Sequence, residues 1–363
     1  MRKVAVVWGY FTKNLGDDLM LTAFLNTAKG KYKKIYIISY KEYSEYYSAM
    51  GVSVVAINSF TYRALNKFLY LFNKPGVYYH YTHIRKADFI MLGGSLFAES
   101  DEYSESQKQI DSLSYAVDKA SKAFIIGCNF GPYKTNKFMN YYSALFGNCV
   151  DVCFRDKPSY NLFSHKSNVR YAPDIILSGI WNKSIRNESP SSSSSIVISV
   201  INLAKRKDLK CFVDDYEKLM AEIAIFHSNR GERVVLCAFC KFEGDLETCR
   251  RIRAMCNNKD IEIAAYNDLN FLPLIANARK IYGTRFHSII LAMYYSIPCV
   301  PFIYSKKTYD ALCSYDVTFD CVDIRSLSAY SFKDIVEVYN VDNIDTSIRE
   351  TAKNQFLGVK SCF

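Results

Sequence analysis

The chain lacks any run near the roughly 20 consecutive apolar residues of a membrane-spanning helix, and Pro298 and Pro301 interrupt the best candidate. Its opening lacks the hydrophobic core of a targeting signal, because Met1-Arg-Lys is followed only by Val4–Trp8 before Gly9. That short apolar run suits a buried strand instead, and a cytoplasmic location is expected. Carboxylates are in deficit: 36 Asp and Glu stand against 46 Lys and Arg, a net charge of +10. Such an excess suits an anionic substrate, or peripheral contact with the anionic inner face of a membrane. What the basic residues lack is a stripe. Their densest runs, Lys29–Lys34, Lys205–Lys210 and Arg250–Arg253, lie far apart and read as solvated helix ends or loops, so nucleic acid is not an expected partner.

The twelve cysteines lack a framework. They are scattered through apolar runs and read as reduced thiols. Cys237-Ala-Phe-Cys240, with Cys249 and Cys256 beyond it, has no second Cys-x-x-Cys and closes a strand-like run. The acidic run Glu99–Glu105 reads as a solvated loop. No metal site is expected from either.

What is present is a globular composition, half hydrophobic and 23% charged, in 363 residues, comfortable for two domains. Strand, turn and helix alternate from the start. Lys3–Trp8 is a continuous apolar strand, Asn14-Leu-Gly-Asp17-Asp18 a turn with an acidic cap, and Leu19–Ala28 has helical spacing. Further strands are expected at Lys34–Ser39, Ser53–Ile57, Asp88–Leu92, Ala123–Gly127, Val150–Arg155 and Val169–Asp174; those at Leu92 and Gly127 end in glycine turns. The serine-rich stretch before Ser195 is the one low-complexity segment. A second series then begins at Ile196 and includes strands Arg233–Phe239, Ile261–Ala264, Lys280–Tyr282 and Cys299–Tyr304. The pattern predicts an α/β protein with two Rossmann-like domains facing across a cleft. Residues 1–180 form the N-terminal domain, 181–195 the linker, 196–345 the C-terminal domain and 346–363 a tail that packs back on the first.

The most chemical stretch is Ile281-Tyr-Gly-Thr-Arg285-Phe-His287, where a strand hands over to a helix start. Amides there lack helical partners and the dipole favours negative charge, so the place suits an anion. Lys306-Lys307 follows another apolar run, and from Ser288 to Tyr309 there is no carboxylate. The blander reading puts Arg285 on a neighbouring carbonyl and His287 half-buried in a core; the missing acid weighs against it.

These residues, in order, resemble the polysaccharide pyruvyl transferase family over nearly the whole chain. Gly9-Tyr10 with Asn14-x-Gly16-Asp17-Asp18 resembles its opening glycine-rich acidic turn, and Gly93-Gly94-Ser95-Leu96 its second glycine turn. Gly127-x-x-x-Gly131-Pro132 is similar to the third, although Cys128 stands where the family usually has a polar residue. Phe154-Arg155-Asp156 with Ser159, Pro173-Asp174, Arg285-Phe286-His287, and Ile297-Pro298 with Tyr304-x-x-Lys307 complete the set. The resemblance implies a GT-B-like architecture and transfer of pyruvyl from phosphoenolpyruvate, the co-substrate, to a sugar as a cyclic ketal, with no further cofactor. The acceptor side falls in the first domain and the donor side in the second. The acceptor is expected to be a sugar or a polyprenyl-diphosphate-linked saccharide.

Phosphoenolpyruvate carries a carboxylate and a phosphate, so fixed cations must hold it. Arg155, Arg285 and Lys307 suit that task, with Asn14, Asp18, Gly94, Ser95 and Phe286 as further substrate contacts implied by the resemblance. His287, the group that titrates near neutral pH, is the expected general acid, with Arg285 beside it. Asp17 and Asp18 read either as helix caps or as groups that orient or deprotonate the acceptor. Two other classes stand against this reading: a nucleotide-sugar glycosyltransferase of the same architecture, disfavoured by the carboxylate-free 288–309 segment, and a non-catalytic sugar-binding protein, disfavoured by the joint presence of Arg155, Arg285, His287 and Lys307.

Overall fold

A computed structural model describes residues 3–72, 86–182, 195–266, 270–337, 339–341 and 346–363. The chain divides into two compact units. The first holds Met1–Thr12, Asp17–Trp181 and Glu350–Phe363; the second holds Lys13–Gly16 and Asn182–Arg349. Most of the expected linker, 183–194, lies outside the described residues.

In the first unit the strands are β1 (Lys3–Trp8), β2 (Tyr32–Ser39), β3 (Ser53–Ala56), β4 (Asp88–Phe97), β5 (Lys122–Phe130), β6 (Asp151–Phe154) and β7 (Val169–Tyr171). They pair in the order β3-β2-β1-β4-β5-β6-β7, all parallel. Val7 lies level with Ile37 on one side and Ile90 on the other, and all three are buried. Continuous apolar runs are what a parallel sheet covered on both faces requires. The order reverses between β1 and β4, which opens a crevice at their carboxyl ends.

The second unit repeats the plan with β8 (Ile196–Ser199), β9 (Val234–Ala238), β10 (Glu262–Ala265), β11 (Lys280–Gly283), β12 (Cys299–Ile303) and β13 (Val322–Asp323). Their order is β10-β9-β8-β11-β12-β13, reversing between β8 and β11. Each unit has its own core. In the first, Phe97, Phe130, Tyr142, Phe146, Phe154 and Phe163 meet at ring separations of 4.9–6.0 Å, several edge-to-face.

The elements differ from expectation at the glycine turns. β4 does not stop at Leu92 but runs through Gly93 and Gly94 to Phe97, its register against β5 shifting between Gly94 and Phe97. Gly93 and Gly94 have φ of 71° and 66°, a region open to glycine at little cost. A Cβ on Gly93 would fall 2.5 Å from Met20 Cε. Helix Leu15–Thr27 begins earlier than its spacing suggested, so Asp17 and Asp18 sit inside its first turn and are not its cap. Asp18 accepts from the hydroxyls of Tyr46 and Tyr47 at 3.0 and 2.8 Å.

The C-terminal segment belongs to the first unit, and Gln355 fastens it. This wholly buried amide accepts from Gly127 N at 2.8 Å and donates to the Ala172 and Pro173 carbonyls at 2.6 and 3.1 Å. Arg170 adds a 3.0 Å bond to the Gln355 carbonyl while paired with Asp151. Gln355→Ala orphans at least two buried backbone groups, at about 1–3 kcal/mol each. The first unit is expected to lose about 2–5 kcal/mol in urea unfolding. A midpoint unchanged from wild type would show that the segment is held without Gln355.

Candidate active site

In the first unit the expected residues gather where β1, β4, β5 and β6 end. Tyr10 follows β1, and its hydroxyl donates to the Ser95 carbonyl at 3.3 Å. A Cβ built on Gly94 would come 3.3 Å from the Tyr10 ring and 3.4 Å from an Asp17 carboxylate oxygen, so the bare backbone permits this approach. Ser95 Oγ donates to Asn129 Oδ1 at 3.0 Å. The same oxygen accepts from Arg155 Nη2 at 3.1 Å, while Arg155 Nη1 donates to Asp174 Oδ2 at 3.1 Å. Arg155 and Asp174 are both buried. Asp174 also accepts from Ile176 N at 2.9 Å, and Asp156 caps its helix on Ser159 N at 2.7 Å. The Arg-Asp and Pro-Asp motifs are therefore partly scaffold.

Asn129 was not singled out by sequence reasoning. It is 3% exposed, and its Nδ2 has no hydrogen-bond partner among the described residues. Because its oxygen is fixed by Arg155 and Ser95, the amide leaves a donor for an oxygen-bearing ligand. The signal was visible: Asn129 is the one polar side chain between Ala123 and Phe130 apart from a thiol.

In the second unit β11 ends at Gly283, Arg285 precedes the helix Phe286–Tyr295, and Phe286 and His287 open it. Arg285 is 7% exposed. Its Nε donates to Asp245 Oδ2 at 2.9 Å, Nη2 to Asp245 Oδ1 at 2.5 Å and Nη1 to Glu243 at 2.7 Å. Arg285 was expected to hold a donor anion from a carboxylate-free segment. The segment is free of acids, but the turn after β9 supplies Glu243 and the helix that follows it supplies Asp245, and they occupy the guanidinium. Nothing near 288–309 in sequence could announce carboxylates some 40 residues upstream.

The charges are interlocked. Burial disfavours the Arg285 charge, but Asp245 and Glu243 outweigh it and the guanidinium is held charged. Burial would raise the Glu243 carboxyl; Arg285 and Arg206 reverse that and hold it below the ordinary range. Burial raises the Asp245 carboxyl, against the pull of Arg285 and the Cys240 N–H. Arg206 bridges to Glu243 at 3.1 Å and lies 4.7 Å over the Tyr304 ring.

This cluster reaches His287 through backbone. Asp245 accepts from Cys240 N at 2.9 Å. Cys240 pairs with Asn14, and Leu15 N donates to the Phe239 carbonyl at 3.3 Å. Asn14 Oδ1 in turn accepts from Gly16 N at 3.2 Å. Gly16 abuts the His287 imidazole, where a Cβ would fall 1.7 Å from Nδ1. Gly16 is required by close approach. Lys307, half-buried, stands in the first turn of helix Lys306–Cys313 after β12.

The structure thus assigns Asp17, Asp18, Gly94, Ser95 and Arg155 to the first unit, and Asn14, Arg285, Phe286, His287 and Lys307 to the second. Burial pushes the Cys240 thiol up to about 11 and Cys249 well above its usual value, so both are protonated thiols at neutral pH. Among the described residues no group of three or more His, Cys, Asp or Glu is placed to hold a metal ion. No described helix is long and apolar enough to cross a membrane.

Two parallel-sheet α/β units with polar groups at the strands' carboxyl ends place the protein in the GT-B fold class. Solved structures agree. UDP-GlcNAc 2-epimerase from Methanocaldococcus jannaschii matches with a TM-score of 0.59 at 10% identity, covering 99% of this chain and 100% of that one. The Neisseria meningitidis UDP-GlcNAc 2-epimerase bound to UDP-GlcNAc matches at 0.57 and 11%, covering 99% of each chain. A glycosyltransferase from Rickettsia africae matches at 0.50 and 9%, covering 99% and 97%. At these identities the likeness establishes the fold alone.

The chain belongs to the polysaccharide pyruvyl transferase family, whose model matches residues 14–306. It is thereby a pyruvyltransferase of polysaccharide synthesis.

Gly16→Ala forces either the loop or the imidazole to move. The His287 ring resonance, assigned among five histidines by its loss in His287→Gln, is expected to shift strongly in the alanine variant. Superimposable imidazole spectra would show that the ring and loop are not in contact in solution.

Proposed function

We propose that the protein transfers the pyruvyl group of phosphoenolpyruvate to two hydroxyls of a lipid-linked, galactose-type sugar, closing a cyclic pyruvate ketal for a cell-surface polysaccharide. One observation carries the reading: His287 is half-buried at a helix start, its ring fixed by Gly16, beside an arginine locked in place by carboxylates. A general acid needs such fixing, because proton transfer depends on geometry before pKa.

In this reading His287 gives a proton to the methylene carbon of phosphoenolpyruvate, which becomes the methyl group. The central carbon turns electrophilic and takes the oxygen of the first sugar hydroxyl, whose proton passes to a base. The second hydroxyl then takes the place of phosphate on the same carbon, gives its proton to the departing phosphate and closes the ketal. The departing phosphate carries off the former enol oxygen, and no oxidant or reductant is needed.

The roles of the cations are redistributed. Arg285, expected as a donor ligand, acts by positioning: its three donor nitrogens are committed to Asp245 and Glu243. The donor's anionic groups fall to Lys307 and to the positive end of the helix dipole at Phe286. The unmatched amide of Asn129, with Ser95 and Asp17, serves the acceptor side. Asp17 is the candidate for orienting or deprotonating a hydroxyl.

A second reading has one observation in its favour. Glu243 places a 38%-exposed carboxylate in the second unit, a group suited to a ribose. Thermal unfolding separates the two, since a ligand of the native state adds RT ln(1 + [L]/Kd). Phosphoenolpyruvate is expected to raise the Tm and UDP-GlcNAc to leave it nearly unchanged; the opposite order establishes the nucleotide-sugar reading. His287→Gln is expected to lose roughly 10²–10⁴-fold in phosphate release. Its phosphoenolpyruvate-induced Tm shift should persist. Turnover near the wild-type rate would remove His287 as the acid.

A further inference from the structure

Helix Phe60–Leu71 follows β3, the edge strand of the first sheet. Buried Tyr62 and half-buried Leu69 turn toward the protein. The other side is unusual for a surface helix. Phe60 is 85% exposed, Leu65 50%, Phe68 58% and Leu71 76%, and Phe72 just beyond it is 61% exposed. At about 100° per residue, these five and the exposed Ala64 occupy one arc of roughly 140°, in which Thr61 is the one polar side chain. Other exposed large apolar side chains are scattered, as on any surface, whereas contiguous apolar patches mark a partner.

Charge identifies which partner. Arg63 and Lys67, both exposed and one helical turn apart, border the arc. The helix has no acid, and the sequence carries none from Tyr46 to Ala87. A two-fold dimer through this face would set Arg63 and Lys67 against their own copies in a protein of net charge +10, which disfavours self-association. An acidic lipid surface meets both features at once, apolar boundary for the aromatic arc and phosphates for the cations.

We propose that Phe60–Leu71 is the surface by which the protein docks on an anionic bilayer. Phe60, Leu65, Phe68, Leu71 and Phe72 sink to the headgroup–acyl boundary, and Arg63 and Lys67 face lipid phosphates. The helix lies in the interface and does not span it. Docking requires no substrate, so it stands apart from the proposed reaction.

The test is co-sedimentation of the substrate-free protein with phosphatidylcholine vesicles, with or without phosphatidylglycerol. Wild type is expected to pellet with the anionic vesicles, to stay in solution with the neutral ones and to be released by salt. The Arg63→Gln/Lys67→Gln pair should weaken partition by about fivefold per charge. The Phe68→Ser/Leu71→Ser pair should abolish it while leaving the Tm unchanged, since both side chains are exposed. Wild type that remains soluble with anionic vesicles overturns the proposal, as does a serine pair that pellets like wild type. Gel filtration closes the remaining route: a wild-type dimer that the serine pair converts to a monomer would assign the face to a second copy.

Discussion

The second unit's site depends on one buried ion pair. Arg285 is carried by the turn after β11 and Asp245 by the helix after β9, and neither would be tolerated in that interior alone. Fork geometry explains the choice of residue. A guanidinium can meet Asp245 through two nitrogens and Glu243 through a third, whereas a lysine would satisfy one oxygen and leave the others buried. Such a pair contributes little net stability, since desolvation consumes most of the Coulomb gain. What it fixes is position. Asp245 holds the Cys240 amide, the Phe239–Cys240 backbone holds Asn14 and Leu15, and Gly16 follows onto His287.

The first unit has a counterpart built from different parts. Arg155 leaves the end of β6 and is divided between Asp174 and the oxygen of Asn129. In both units an arginine that a motif marks as a cation is neutralised by a buried carboxylate. Its guanidinium orients a neighbour, here the Asn129 amide and there the turn that reaches His287. Next to the locked Arg285 pair, the helix Phe286–Tyr295 opens with the positive end of its dipole. Electrostatic preorganisation of this kind costs no reorganisation during reaction, because each dipole is already held.

Much of this was legible in the chain because parallel sheets bury both faces of their strands. β1 was read at its true bounds, and the alternation of β8, β9 and β11 with helices was plain, since short β-branched runs such as Ile196–Ser199 favour a buried strand over a helix. Periodicity failed where backbone did something only glycine permits. Gly93 and Gly94 looked like the end of β4 but are an irregularity within it, and no pattern of side chains distinguishes those cases. Short β13, two residues long, gives no periodic signal at all. The site was legible as a set of residue types and not as a set of partners. Arg285 and His287 stood out, but Glu243 and Asp245 reach them by tertiary folding. Gln355 likewise gives no local hint that it will bond to Gly127 and Ala172.

The net positive charge also changes meaning once partners are known. If the +10 excess reflected an anion-filled active site, the motif arginines would be its source. Arg155 and Arg285 are instead balanced within a few ångströms by Asp174, Asp245 and Glu243. These two arginines therefore do not supply the excess, whereas exposed charges such as Arg63 and Lys67 set up fields that extend about a Debye length and act on whatever large anionic surface comes near. A small donor is recognised by fixed donors at short range; a membrane is recognised by unpaired surface charge and exposed apolar area. The two tasks fall to different residues, and the helix Phe60–Leu71 combines the second pair of features without touching the first.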